Sequence, residues 1–231
     1  MGCALLILTF AATVHADPLD QWTWRYPRPQ ASTLRSVTYG GGQFVAVGDF
    51  GTIITSSDAY HWTNQTYGTF PGLYGVAYAG GSYAAVGVSG TILTSSNGVN
   101  WIRATSPTTN NLRAIAGDPS ASPKFIAVGD QGAAVSSMDG VTWGGWNSSS
   151  TNNLRGVTFD SADYFGVGDN GTILYGMSFD LREVFGTDWI TTNNLRCIAF
   201  GNGVYASGGA LGVYGSTLLN SILYSLDGFD W

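Results

Sequence analysis

The 231-residue chain is 44% hydrophobic and 13% aromatic, so it can bury a substantial core and does not have the composition of a disordered protein. Only 10% of its residues are charged and its formal net charge is −6, which disfavours nucleic acid as a partner because a phosphate backbone would be repelled. Its 33 glycines favour many tight turns between short uncharged segments, which is typical of an all-β protein.

The N-terminal residues differ in character from the rest of the chain. The apolar run ALLILTFAATV, Ala4 to Val14, is too short to span a bilayer, and VHA before Asp17 fits a small-residue cleavage site. This pattern predicts a signal peptide over residues 1–16, cleaved near Ala16, and a secreted or periplasmic domain over residues 17–231. A buried N-terminal strand is the alternative. No amphipathic basic helix that would bind a membrane surface is visible, and the domain is not expected to be embedded in a membrane.

Cysteine usage predicts a fold that is stabilised by packing. Cys3 would leave with the signal peptide, so Cys197 would be alone and could form no internal disulfide. Cys197 lies in the apolar segment LRCIAF, and we expect it to be a small buried hydrophobic side chain rather than a nucleophile.

A unit of about 40 residues recurs five times along the remaining chain. The segments LRSVTY, LYGVAY, LRAIAG, LRGVTF and LRCIAF align, and the units start at Leu34, Leu73, Leu112, Leu154 and Leu195. In the first unit a Gly-rich turn leads to FVAVG, the turn GDFGT leads to TIITS, and an Asp-containing turn ends at Trp62. Strand-like repeats of this length, without helical apolar periodicity, predict an all-β five-bladed β-propeller with four strands in each blade.

Two kinds of turn recur within these units. In the Gly-Asp-x-Gly turn between the second and third strands, Gly and Asp are expected to take positive φ angles; the aspartates are Asp49, Asp130 and Asp169. In the turn before the fourth strand, two side chains are expected to accept backbone N–H bonds, in the pairs Ser56 and Asp58, Ser95 and Asn97, Ser136 and Asp139, and Ser225 and Asp227. A tryptophan that follows each turn is expected to cover its hairpin: Trp62, Trp101, Trp143 and Trp231.

These motifs resemble a known group of proteins. The pattern S-x-D-x-x-x-W resembles the Asp-box, or BNR, repeat of sialidases and related propellers, although the chain has four steps from Asp to Trp where the usual Asp-box has five. The pattern VAVGDxGTILTSxDGxxW is similar to the photosystem II assembly and stability factor-like propellers of bacterial secreted proteins. The resemblance covers nearly all of residues 22–231. It implies the propeller fold and leaves the activity open.

The last two units depart from the pattern. In the fourth, Ser178 and Arg182 replace the usual Asp and Trp, and Trp189 is a partial substitute. In the fifth, residues 210–219 form a longer loop, which is either a binding loop or a solvated excursion. The segment Trp22–Gln30 is expected to supply the fourth strand of the last blade and thereby close the ring. The alternative is that the repeats belong to a larger ring or array.

The inventory of reactive side chains argues against most catalysis. His61 would be the only histidine of the mature chain and lies in a surface turn, so a Ser–His–Asp or Cys–His arrangement is not expected. No His or Cys cluster has metal-ligand spacing, and no metal or cofactor is expected. Glycoside cleavage would need two nearby carboxylates or a Tyr nucleophile with an acidic partner. The uncommitted acidic residues lie mainly in the fourth unit: Asp160, Asp163, Asp180, Glu183 and Asp188.

The residue after each repeat leucine forms the candidate site. In a closed ring, near-rotational symmetry would place these residues on one rim near the axis: Arg35, Tyr74, Arg113, Arg155 and Arg196. They could attract an anionic ligand, because the planar guanidinium pairs well with carboxylates. Alternatively, each arginine pairs with a carboxylate or carbonyls of a neighbouring blade, caps its strand or stacks on an aromatic ring. The repeated Asn pairs in TTNNLR and STNNLR are expected to form Asx-type turns between blades.

Together these observations favour a non-catalytic propeller that binds a protein or a carbohydrate through one face of the ring. A sialidase-like or other glycoside hydrolase is one alternative, and it would gather the arginines around a tyrosine and an acid in one pocket. An assembly chaperone similar to the photosystem II factors is the other, and it rests on the resemblance alone.

Overall fold

The computed structural model describes residues 32–65, 70–121, 123–160, 163–177, 180–183, 193–209, 212–214, 217–219 and 222–231. The predicted signal peptide, the closing strand Trp22–Gln30, and Ser178 and Trp189 of the fourth unit lie outside these residues.

The described residues form five antiparallel sheets and one small hairpin; in four of the sheets the strands follow one another in the chain. The first sheet contains β1 (Leu34–Gly40), β2 (Gln43–Gly48), β3 (Ile53–Ser56) and β4 (Thr63–Asn64). The second contains β5 (Leu73–Ala79), β6 (Ser82–Gly87), β7 (Ile92–Ser95) and β8 (Ile102–Arg103). The third contains β9 (Leu112–Gly117), β10 (Phe125–Gly129), β11 (Ala134–Ser137) and β12 (Gly144–Trp146).

The fourth sheet contains β13 (Leu154–Phe159), β14 (Tyr164–Gly168), β15 (Ile173–Met177) and β16 (Asp180–Glu183). In the last unit, β17 (Leu195–Gly201) and β18 (Val204–Gly209) are followed by β19 (Gly212–Tyr214) and β20 (Thr217–Leu219), which pair with each other within the predicted long loop. β21 (Ile222–Ser225) then joins β17 and β18 as the third strand of the last sheet.

The core lies between consecutive sheets. The first strands of neighbouring sheets lie side by side, so we call β1, β5, β9, β13 and β17 the inner strands. Side chains alternate between the two faces of a sheet along each strand. We call the face that points toward the preceding sheet the near face, and the opposite face the far face. Val45 and Val47 on the far face of the first sheet pack with Leu73 and Val76 of the second. Similar apolar clusters separate the later sheets, which gives the radial arrangement of a propeller.

The serine–aspartate turns before the fourth strands stabilise each outer hairpin. Asp58 Oδ1 accepts the N–H groups of Tyr60 and His61 at 2.8 and 2.7 Å, and Asn97 and Asp227 do the same in their turns. In the third unit the serine is Ser137, whose hydroxyl donates to Asp139 at 3.1 Å; the prediction of Ser136 was wrong. The serine lies two residues before the acceptor in each such turn, because that spacing lets the hydroxyl reach the carboxylate or amide oxygen.

The tryptophans that follow these turns pack between sheets and do more than cover their own hairpins. Trp101 packs in the cluster between the first and second sheets, Trp143 between the second and third, and Trp231 between the fourth and last. In three turns the indole Nε1 also donates to the carbonyl three residues earlier, at 2.7–3.1 Å. Trp101, Trp143 and Trp231 therefore help to join their sheets to the preceding ones.

The first and last sheets do not cover each other in the described residues, so the expected closed ring of five sheets is not observed there. Val37 and Tyr39 of β1 are each 60% exposed, and Tyr224 of β21 is 70% exposed. Cys197 is exposed, and the prediction that it is buried was wrong. Its position is buried only where a following sheet packs on the far face, and no described sheet follows the last one.

Candidate functional site

A β-bulge at the start of each inner strand positions the candidate site. The ladder pairs Leu34 with Gly48 and then Ser36 with Val47, so Arg35 has no partner across the strand. The same irregularity follows the repeat leucine in the other four sheets. The candidate residues Arg35, Tyr74, Arg113, Arg155 and Arg196 are the bulged residues. Since consecutive inner strands are neighbours, the bulges place these five side chains in one row, which we call the arginine row.

The turn between the second and third strands lies beside this row. Positive φ angles occur at the residue after the aspartate position, namely Phe50, Ser89, Gln131 and Asn170, and at the glycine that follows. The expectation that the aspartates take positive φ was therefore wrong. Their carboxylates instead accept hydrogen bonds from the arginine row.

Three arginines of the row form bidentate ion pairs with the aspartates of these turns. Arg35 Nε lies 2.6 Å from Asp49 Oδ1, and Nη2 lies 3.1 Å from Oδ2. The corresponding distances are 2.8 and 2.7 Å for Arg113 and Asp130, and 3.0 and 2.7 Å for Arg155 and Asp169. Each arginine and its aspartate lie in the same sheet, so the alternative prediction that the arginines pair with carboxylates of a neighbouring sheet was wrong. The bulge turns the guanidinium toward the turn of its own sheet.

These pairs shift the ionisation of both partners. Hydrogen bonds from the guanidinium lower the pKa of Asp49, Asp130 and Asp169 below its usual value. The same bonds raise the pKa of the three arginines. The aspartates are therefore ionised at neutral pH, and they neutralise part of the charge of the row.

The second asparagine of each TTNNLR-type segment joins two sheets. Asn111 Oδ1 accepts the N–H of Ser89 at 2.8 Å, and its Nδ2 donates to Asp130 Oδ2 at 2.9 Å. Asn153 forms the equivalent bridge between the Gln131 N–H and Asp169, at 2.9 Å on each side. These side chains therefore connect neighbouring sheets beside the arginine row, a role that the expected Asx-type turns do not include.

Tyr74 lies between two guanidinium groups. The Cζ of Arg35 lies 5.5 Å from the centre of its ring and that of Arg113 lies 4.9 Å away, within the range of cation–π attraction. Val88 occupies the turn position at which the neighbouring sheets have an aspartate. The second sheet thus lacks both members of the ion pair and contributes an aromatic surface instead.

Arg196 differs from the other arginines. Its side chain is exposed, and no ion pair joins it to any of the residues that the structure describes. Ala210 follows β18 at the position equivalent to the aspartates, and it lies outside the described residues. The electric field of Arg196 contributes to the lowered pKa of Asp169 in the preceding sheet. Arg196 therefore adds positive charge at the end of the row.

Asp160 and Asp163 of the fourth unit lie away from the row. The Tyr205 hydroxyl donates to Asp160, and the Asp163 N–H donates to Asp160 Oδ1 at 2.8 Å. Burial raises the pKa of Asp163 and of Tyr205. The hydroxyls of Tyr83 and Tyr164 bond the preceding sheet's hairpin from equivalent positions. Tyr205 pairs across the strand with Phe200, which lies four residues along β17 from Arg196. Arg196 and Phe200 are therefore about 13 Å apart along β17.

No group of three His, Cys, Asp or Glu residues that could hold a metal ion occurs in the part of the chain that the structure describes. Within the same residues there is no helix of the length and apolarity needed to cross a membrane.

No protein-family model matches the chain, and no curated protein matches it in sequence. Solved structures do match. A structure titled YCF48 bound to D1 peptide has a TM-score of 0.59 at 14% identity and covers 78% of this chain. YCF48 from Cyanidioschyzon merolae has a TM-score of 0.57 at 16% identity, over 85% of this chain and 73% of that one. A nidogen/laminin complex gives 0.57 at 13% identity, over 78% and 73%. The chain spans 64% of the length of the first of these. At such low identities the likeness establishes the fold: this is an all-β chain whose sheets are arranged as in β-propellers.

Proposed function

We propose that the chain is a non-catalytic binding module whose arginine row holds an acidic segment of a partner protein. The observation that carries this proposal is the bulge, which aims the same residue of every inner strand into one row. Two of the similar structures support it, since one is YCF48 bound to a D1 peptide and another is a complex of nidogen with laminin. These partners are those of YCF48 and of nidogen, and only the use of a propeller to bind a protein is carried over in the proposal.

The row can still bind carboxylates although three arginines are paired. Each pairing uses one N–H of Nε and one of Nη2, and a guanidinium has five N–H donors. The remaining donors of Arg113 and Arg155 are held in a fixed orientation by Asp130 and Asp169. The exposed guanidinium of Arg196 supplies net charge, and Tyr74 supplies an aromatic surface. We therefore expect acidic residues near an apolar side chain in the partner.

The alternatives have less support. A carbohydrate ligand would use the same donors, but nothing in the row favours sugar hydroxyls over carboxylates. A sialidase-like hydrolase would converge its arginines on a tyrosine and a free acid, whereas three of the arginines here are already bound to aspartates. An Asp-box ancestry agrees with the geometry of the serine–aspartate turns and remains part of the proposal.

Selection of random peptides displayed on phage tests the binding function. We expect acidic peptides to be enriched, and Arg196→Gln to weaken a selected peptide about fivefold without changing the urea midpoint of unfolding. The matched control is Arg103→Gln, an exposed arginine on β8 outside the row, which should bind normally. Peptides without acidic residues, or equal losses in both variants, would contradict the proposal. Selective binding on a glycan array by the wild type alone would favour the carbohydrate alternative.

We also propose that the domain is secreted or periplasmic. The support is the apolar run Ala4–Val14 followed by the small residues before Asp17. Expression of the full chain in a bacterium, with mass spectrometry of the periplasmic fraction, should give a mature N-terminus at Asp17. An uncleaved cytoplasmic product would refute this part of the proposal.

A further inference from the structure

The far face of the last sheet is apolar and uncovered. Its residues lie on three strands and are paired in register, Ala199 with Ala206, Ala206 with Tyr224, and Cys197 and Ile222 each with Gly208. Ile222 is 75% exposed and Tyr224 70%, and Cys197, Ala199 and Ala206 are exposed as well. We call this surface, made of Cys197, Ala199, Ala206, Ile222 and Tyr224, the end face.

Interior sheets bury the same positions. On the second sheet, Ala77, Ala84, Ile92 and Thr94 are the equivalents of Ala199, Ala206, Ile222 and Tyr224. They are between 0% and 8% exposed, because the near face of the third sheet packs on them through Leu112, Phe125 and Trp143. The end face therefore has the apolar character of the far face of the second sheet, which the near face of the third sheet covers.

The first sheet carries an uncovered near face. Leu34 and Val37 are 42% and 60% exposed, whereas the equivalent Leu73 and Val76 of the second sheet are 0% and 5% exposed. Ala46 and Ile54, farther from the inner strand on this face, are already buried at 3% and 1%. We call the exposed part, Leu34, Val37 and Tyr39 on β1, the start face.

The two faces match each other by repeat equivalence. At every interior junction the inner strand of one sheet lies beside the inner strand of the next. The start face is the inner-strand part of a near face, and the end face extends over the three described strands of a far face. Apart from Arg35 and Arg196, whose side chains belong to the arginine row, β1 and β17 carry no charged residue. An apolar contact of the interior type is therefore possible without burying an unpaired charge.

We propose that the end face of one copy of this chain binds the start face of a second copy, in the way that consecutive sheets pack within the chain. Both faces are exposed in the same molecule, so one does not cover the other. Such head-to-tail contact is heterologous, and it leaves a free start face and a free end face on every dimer. Assembly can therefore continue into longer arcs, closed rings or filaments. The hydrophobic effect favours the contact, because it removes from water the large apolar side chains that are exposed on the two faces.

Two charged substitutions separate the faces. Val37→Glu blocks the start face and leaves the end face intact, while Tyr224→Glu does the reverse. Both residues are exposed, so neither change should alter the circular dichroism spectrum or the urea midpoint. Ile102→Glu is the matched control, since Ile102 is 72% exposed on β8, outside both faces.

Sedimentation velocity measures the assembly. We expect the weight-average mass of the wild type and of Ile102→Glu to rise at least about twofold between about 1 and 100 µM, the range of weak interfaces. Each face variant alone should remain monomeric. A mixture of the two should form one-to-one dimers and nothing larger, because one intact start face meets one intact end face. A wild type that is monomeric throughout, a face variant that associates with itself, or a mixture that stays monomeric would overturn the proposal.

Discussion

Double-mutant cycles on the ion pairs of the arginine row would measure how firmly the site is built. The perturbation is replacement of each arginine, of its aspartate, and of both by alanine, in the pairs Arg113 with Asp130 and Arg155 with Asp169. The exposed pair of Arg35 with Asp49 serves as the comparison. The coupling energy is the part of the stability change that the two single substitutions share.

The structure sets the expected sizes. Side chains of Arg113 and Asp130 are 29% and 21% exposed, and those of Arg155 and Asp169 are 23% and 15% exposed. Two unit charges about 4 Å apart attract by about 4 kcal/mol at an effective dielectric constant of about 20, and desolvation offsets more than half of this. We expect a net coupling of about 1–2 kcal/mol for each of these pairs. Arg35 is 44% exposed, so its pair should be the weakest of the three.

Urea unfolding of the wild type, the two single variants and the double variant gives each coupling energy, at low and at high salt. High salt should reduce the coupling of Arg35 with Asp49 most, because solvent ions screen exposed charges more than partly buried ones. Zero coupling in both partly buried pairs, or a stronger coupling in the exposed pair, would refute the reasoning that the aspartates orient the row.

Other predictions concern the turns and the contacts between sheets. Gly132→Ala should lower the free energy of unfolding in urea by about 3 kcal/mol or more, since the φ of Gly132 is +67° and a Cβ would collide with the Ser150 carbonyl. Gly42→Ala should lower it by only about 1 kcal/mol, because Gly42 has φ +83° but open space around it. N–H bonds lower the pKa of Asp139 to about 2, so its stabilisation is complete above about pH 4 and is lost toward pH 2. Asp139→Asn keeps the acceptor oxygen and should lose less stability over that range. Tyr83→Phe should cost about 1–2 kcal/mol in thermal or urea unfolding, because its buried hydroxyl bonds a carbonyl of the first sheet; no change would show that water replaces the bond.

The repeat was the most informative signal in the sequence. Alternating apolar residues and glycine-containing turns indicate where the strands lie. A repeat of about 40 residues indicates that each unit forms one small sheet and that consecutive sheets pack on one another. For this reason the sheets and their propeller-like packing could be predicted without knowledge of any contact. Closure of the ring could not, since it depends on whether two distant faces meet, and no local pattern encodes that.

Side-chain partners were harder to predict. A signal for the ion pairs was present in the first four units: Arg35, Arg113 and Arg155 each occur with an aspartate in the turn between the second and third strands, whereas Tyr74 occurs together with Val88. Positive φ was assigned to the aspartates because Asp tolerates it, yet the backbone places it one residue later, at Gln131 for example. Cys197 was expected to be buried because its neighbours in sequence are apolar, but apolar neighbours do not reveal whether another sheet packs on that face; among the described residues none does.

The bulge that follows each repeat leucine also makes the row open to change. A residue without a ladder partner contributes little to strand register, so its side chain can be exchanged while the backbone of the sheet is preserved. Tyr74 already shows that an aromatic residue is accepted in place of arginine when the turn loses its aspartate. Selection could therefore alter the chemistry of recognition one sheet at a time, and a library that varies only these five positions and their turn partners would yield binders of differing preference on one unchanged scaffold.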